Sequence, residues 1–164
     1  MEAAIGADTA AGYRSQRIRD LIKSEPKLSV ADMARIQMDT YSANAEQLVP
    51  KLLDVELGSR YYRQGQETLK KWDYKQTADS AAAAYFNVVW RNLLKLTFDD
   101  ELPASEGPDG GERWFNVVGT ILEKPHNHWL DDVSTNGRTE SRDDILAAAM
   151  RMARDELTTL HSPD

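Results

Sequence analysis

The chain has 164 residues and a mass of 18.5 kDa, enough for one domain with a sizeable core, since a chain of this length buries roughly 70% of its unfolded surface. Its 41% apolar and 29% charged residues, mean hydropathy of -0.59 and lack of any long apolar run exclude a membrane span. A formal charge of -7 argues against a nucleic-acid backbone or an anionic membrane as the main partner, because both would be repelled. With no cysteine there is no disulfide, thiolate nucleophile or zinc-thiolate site. Met1-Glu2-Ala3-Ala4-Ile5 has neither a basic n-region nor an apolar h-region, so no signal peptide is expected on this chain.

Ile18, Leu21 and Ile22 fall at helical spacing and predict an amphipathic helix over Tyr13 to Lys23, closed by Glu25-Pro26, with Arg17, Arg19, Asp20 and Lys23 on its outer face. Ser29-Val30-Ala31-Asp32 is a variant of the capping box and starts a second helix at Val30. That helix is expected to run past Asp39 and Tyr41, break near Ser42, resume through Leu52 and Leu53, and end at Gly58, with Pro50 kinking it or opening a new first turn. Tyr61, Tyr62, Leu69 and Trp72 predict a third helix from Ser59 to Trp72, weakened by Gly65 in its middle.

The fourth helix starts at Asp79-Ser80, where four alanines lead into Tyr85, Val89, Leu93 and Leu96, and ends near Phe98. From Asp99 to Gly111 two prolines, three glycines and five acids predict a flexible loop outside the packed body. Trp114, Val118 and Ile121 give a fifth helix up to Lys124, stopped by Pro125. Ser141-Arg142-Asp143-Asp144 caps a last helix reaching Leu160. No useful stretch alternates apolar and polar residues, so the expectation is a single all-α domain over residues 1–164, of about six helices and without an internal repeat.

Few residues suggest chemistry. His126-Asn127-His128 near Asp131 and Asp132 is the densest set of ligand types, chemically adequate for zinc, but it lies in an irregular segment without HExxH spacing. Surface histidines are its ordinary reading. The adjacent acids Asp99-Asp100-Glu101 and Asp143-Asp144 fit helix ends better than a general acid and base. Ser29, Ser42, Ser80 and Ser141 all fall at expected N-caps, and none sits in a GxSxG elbow. Trp72, Trp90, Trp114 and Trp129 lie among apolar residues at helical spacing and are assigned to the core. Arg14 differs, because it opens a helix, where a cation opposes the macrodipole.

The order of short words along the chain carries more. Gly12-Tyr13-Arg14-Ser15-Gln16-Arg17-Ile18, Leu28-Ser29 with Asp32-Met33, Gln37 with Asp39, Ser42 and Ala45, then Leu48-Val49-Pro50 with Leu52-Leu53 resemble the middle of the large chain of the penicillin acylase (penicillin amidase) family. Leu69 with Trp72-Asp73, Asp79-Ser80 with the alanine run and Tyr85-Phe86, Trp129 with Asp131-Asp132, and Arg142-Asp143 with Ile145-Leu146 continue it, so the likeness covers roughly Ile5 to Asp164.

That resemblance implies a helical segment of a larger αββα N-terminal-nucleophile hydrolase, in which autoproteolysis exposes a serine whose own α-amino group serves as its base. Members cleave linear amide C–N bonds in penicillins, acyl-homoserine lactones or lipopeptides. The nucleophilic serine and the oxyanion-hole asparagine belong upstream of the Gly-Tyr-Arg word and have no match in this chain, so the chain alone is expected to be inactive. Arg14 matches an arginine beside the active site that helps hold that asparagine and the substrate side of the cleft. Calcium is implied for the intact parent but not for this chain, since the position where a ligand would fall holds small residues around Ala3. The implied partners are the rest of the parent, namely its small chain and the sheet core of its large chain, together with an amide substrate. A periplasmic or secreted parent is implied as well, and sheets are expected to resume after His161-Ser162-Pro163-Asp164. Two readings without catalysis stand beside this one: a self-contained helical protein-interaction domain, and a metal-binding helical protein using His126 and His128. A serine-led sandwich sequence upstream would separate them from the first.

Overall fold

A computed structural model describes residues 12–161. They form seven α-helices and one short 3-10 turn, with an isolated backbone bridge between Tyr41 and Lys75 and no strand among the described residues. The all-α expectation is met. The count is seven because the predicted second helix is two: Met38 leaves helical geometry, and the chain turns before Ser42 caps a new start. The chain divides into two compact units, residues 1–40 and 41–164.

The first unit carries α1 (Tyr13–Lys23) and α2 (Val30–Gln37). Sequence chemistry fixes the start of α2: the Ser29 hydroxyl accepts from the Asp32 N–H while the Asp32 carboxylate accepts from the Ser29 N–H, a reciprocal capping box. Hydrophobic burial is sparse. No residue of α1 is buried, and α2 buries only Ile36.

The second unit holds α3 (Ala43–Leu53), α4 (Arg60–Leu69), α5 (Ala81–Phe98), α6 (Glu112–Leu122), the turn His128–Leu130 and α7 (Arg142–His161). The middle of this unit is α5, with eleven of its eighteen residues buried, as expected of a helix covered on nearly every side. Phe86, Val89 and Leu93 belong to the same core as Leu146, Ala149, Met150 and Ala153 of α7. The alanines of α7 let the two backbones approach closely, and α5 and α7 form the most extensive helix pair among the described residues. Trp90 and Trp114 are buried, and Trp72 and Trp129 pack against the core at partial exposure.

The ends of α3 and α4 and the packing of the segment after α5 differ from expectation. Helix α3 runs through Pro50, which neither opens a new turn nor ends the helix, and closes at Leu53, leaving Val55 and Leu57 as buried residues of the connection to Gly58 at φ 73. Helix α4 stops at Leu69. Trp72 instead belongs to a turn in which its indole N–H donates to the Lys75 carbonyl at 3.0 Å and Tyr74 adopts φ 62, a left-handed conformation uncommon for a bulky residue. The Tyr74 carbonyl accepts from Ser42 N–H at 2.9 Å, and its ring meets Tyr41 and Trp72 edge-on, so hydrogen bonding and aromatic packing hold the turn. The segment from Asp99 to Gly111 is helix-free, but it is not wholly outside the packed body. Leu102 packs on the core, and Trp90 Nε1 donates to Gly110 O at 3.5 Å.

Candidate functional site

The residue singled out by sequence, Arg14, is the second residue of α1 and is exposed. Its helix has an unusual beginning. The N-cap is Gly12 at φ 70, which provides no side chain to accept from the first N–H groups, and the first turn contains no acid. Four backbone donors of a helix start lack intrahelical partners, and here the first turn carries an arginine. The positive end of the helix and the Arg14 charge therefore reinforce one another, an arrangement suited to an acceptor such as a carbonyl or carboxylate.

One turn on, Arg17 departs from the surface role expected of it. Its Nε donates to Asp39 Oδ2 at 2.7 Å and its terminal nitrogen Nη2 to Asp39 Oδ1 at 3.1 Å, a fork with side chains 33% and 17% exposed. Residues three apart on a helix are neighbours on one side, so Arg17 shares the side of Arg14 rather than pointing away from it. Arg19 matches the surface reading, being exposed and within 3.4 Å of Gln16 Oε1 on its own helix. The signal that could have marked Arg17 was Asp39, but their separation of 22 residues lies outside any local helix rule.

The other candidates are not brought together into a site. His128 opens the 3-10 turn with its ring 5.2 Å from that of Trp129, and His126 is exposed in the preceding connection. Asp131 accepts from the Glu140 N–H, and Asp132 accepts from the Ser134 N–H. Among the described residues no group of three or more His, Asp and Glu side chains is placed to hold a metal ion. Glu140, unmarked by the sequence, is the buried carboxylate of this region, accepting from Asp132 N–H and Thr135 Oγ1. Its work is to shape the loop.

The paired acids serve backbone and neighbours in the same way. Asp100 accepts from Val133 N–H at 2.9 Å, Asp143 pairs with Arg142, and Asp144 forms a second reciprocal cap with Ser141. Hydrogen bonds from the Ser141 hydroxyl and N–H hold the Asp144 carboxyl below the usual carboxylate range. Ser29, Ser42 and Ser80 cap α2, α3 and α5 as expected, and Ser59 caps α4. The expectations placed on residues 1–11, including the small residues around Ala3, and on Ser162-Pro163-Asp164 lie outside the described residues.

Two concavities mark the second unit. A cleft of about 620 Å³ lies between α5 and the segment 99–111. A smaller one, about 270 Å³, is lined by Asn44 and Lys51 of α3, Trp90 of α5, and Phe115, Val118 and Leu122 of α6. Neither contains a serine. No helix of the described residues is long and apolar enough to cross a membrane.

Comparison with known proteins gives this geometry its context. The sequence matches the penicillin amidase family over residues 1–164. It is 33% identical over 159 residues to the penicillin acylase 2 proenzyme of Pseudomonas sp. (strain SE83), an alignment covering 89% of this chain and 19% of that protein. The chain thus spans less than a fifth of the length of that relative. With the family matched from its first to its last residue, this helical chain belongs to the penicillin amidase family.

Proposed function

We propose that the chain is the helical segment of an acylase that hydrolyses acyl amide C–N bonds, and that it forms one wall of the acyl-binding cleft with Arg14 facing it. The observation that carries this reading is the family match along the entire chain, set against a relative of which the alignment covers only 19%. In this reading the nucleophilic serine and the oxyanion-hole asparagine come from outside the chain. Four of the described serines fit that division of labour, since Ser29, Ser42, Ser59 and Ser80 use their hydroxyls as helix caps and the family's chemistry needs a serine with an adjacent base.

Arg14 offers what such a wall needs. Its guanidinium presents several oriented donors for carbonyl groups from an exposed helix start without an acid in its first turn. The partners in this reading are the remaining chain of the acylase and an amide substrate such as a penicillin, an acyl-homoserine lactone or a lipopeptide. Calcium, where the parent holds it, belongs in this reading to that remainder. The parent in this reading is periplasmic or secreted.

The test is turnover of a chromogenic phenylacetyl or fatty-acyl amide. The full-length, processed enzyme is expected to release the chromophore, and the purified chain of residues 1–164 is expected to release none. Turnover by the purified chain that disappears on changing one of its own residues would falsify the division of labour.

A further inference from the structure

We infer that the Arg17–Asp39 ion pair is a positioning device for Arg14, fixing the turn of α1 from which Arg14 projects; the inference rests on the placement of Arg14 at the cleft. Burial does little to fix the rotation of α1. The helix buries no residue, its Ile18 and Ile22 remain 39% exposed, and its start has no side-chain cap. Gly12 enters it at φ 70, with no described residue within 4 Å of where a Cβ would stand. The bonds from Gln16 to Asp20 and from Arg19 to Gln16 stay within the helix. They stiffen it without orienting it.

The Arg17 fork acts differently. Two hydrogen bonds, 2.7 and 3.1 Å, join a planar guanidinium to both oxygens of Asp39, a residue beyond the end of α2. A bidentate contact fixes an angle as well as a distance. Asp39 is itself held, its N–H donating to Ile36 O at 3.3 Å, and Ile36 is the buried residue of α2. Because Arg14 precedes Arg17 by three residues, the two Cβ atoms are on the order of 5–6 Å apart, and a rotation of one carries the other. Asp39 also neutralises Arg17, relieving Arg14 of a like charge on the next turn.

The experiment uses the full-length enzyme, with processing followed by gel and kcat and KM measured on a chromogenic phenylacetyl amide. Arg17→Ala and the milder Asp39→Asn are each expected to lower kcat/KM on the order of tenfold, since small misplacements at a site carry costs of that size. In an Arg14→Ala background the same changes should cost less than about twofold, because nothing remains to position. Exchanging the charges, Arg17→Asp with Asp39→Arg, should recover most of the loss, and Arg19→Ala should leave kinetics unchanged. If Arg14→Ala is slow but Asp39→Asn costs the same factor with and without Arg14, the positioning role is overturned and the cleft placement of Arg14 stands. If Arg14→Ala itself retains wild-type kinetics, the cleft placement fails and the positioning role falls with it. Should Arg17→Ala fail to process, Asp39→Asn in the two backgrounds separates the same outcomes.

Discussion

Gly65 of α4 lies directly against the Tyr85 ring of α5, so that a Cβ added at Gly65 would stand 2.7 Å from Tyr85 Cε2 and Cζ. The ring has little freedom to retreat. It is 2% exposed, and its hydroxyl donates to the Met150 carbonyl of α7 at 3.2 Å. Gly65→Ala sets about 1 kcal/mol of helix propensity against an overpacking cost typically near 1–3 kcal/mol. The contact is short enough for the second to win, and Gly65→Ala is expected to lower stability by about 1–2 kcal/mol. Thermal denaturation of the two proteins checks this, and an unchanged or raised Tm would show that the ring yields.

Gln66, the next residue, links α4 to the end of α3. Its buried Nε2 donates to the carbonyls of Leu52 at 2.9 Å and Val55 at 2.8 Å, where α3 has run out of helical N–H groups to satisfy them. Gln66→Met preserves the shape of the side chain but strands both acceptors. A loss of about 1–3 kcal/mol is expected, read as a lower denaturation midpoint with unchanged denaturant slope.

Both relationships show where the sequence is readable and where it is not. Capping is local, so Ser29 with Asp32 and Ser80 before its alanines announce helix starts within three residues, and both starts fall where expected. Contacts between distant residues leave no such trace. Gly65 looks like a flaw in a helix until Tyr85 is placed beside it, and Arg17 looks like surface charge until Asp39 comes within 2.7 Å. Trp72 fits the period of α4, yet its indole bond to Lys75 O draws it into the following turn. For the candidate site, Arg14 is marked in the sequence by its helix-opening position and by the order of family words, because an exposed arginine has no period or spacing of its own. Glu140 was not legible at all, since its partners Asp132 and Thr135 meet it through loop geometry.

The capping boxes predict an acid-sensitive contribution to stability. Bonds from the Ser29 hydroxyl, then the Ser29 N–H, then Arg35, draw the Asp32 pKa down to about 2. Asp144 shifts in the same direction through the Ser141 hydroxyl and N–H. A carboxyl whose folded value lies below its unfolded one contributes fully above the ordinary range near pH 4 and loses that contribution as pH falls through the folded value. Tm is therefore expected to be insensitive to these two groups from about pH 7 to pH 5 and to fall between about pH 4 and pH 2. Ser29→Ala and Ser141→Ala should each flatten part of that fall, measured by calorimetry across the pH series. A fall of unchanged steepness in both variants would remove the caps as its cause.

The role proposed for Arg14 predicts a specific kinetic pattern in the full-length enzyme. Hydrogen bonds to a charged group are typically worth about 1.5–3 kcal/mol, whereas exposed ion pairs contribute at most about 1 kcal/mol. If Arg14 gives its donors to a partly dry cleft, the first range applies. The exponential relation between barrier and rate then makes Arg14→Ala roughly tenfold to a hundredfold slower in kcat/KM. Arg14→Lys should recover only part of that loss, because an ammonium keeps the charge but not the planar fork. The exposed Arg19, whose contact is with Gln16 on its own helix, is the matched comparison, and Arg19→Ala should stay within about twofold of wild type. Processing must be followed by gel alongside the kinetics, so that a maturation defect is not read as a slow chemical step. Normal processing with wild-type kinetics in Arg14→Ala would make this residue an ordinary surface cation at a helix start and remove it from the cleft.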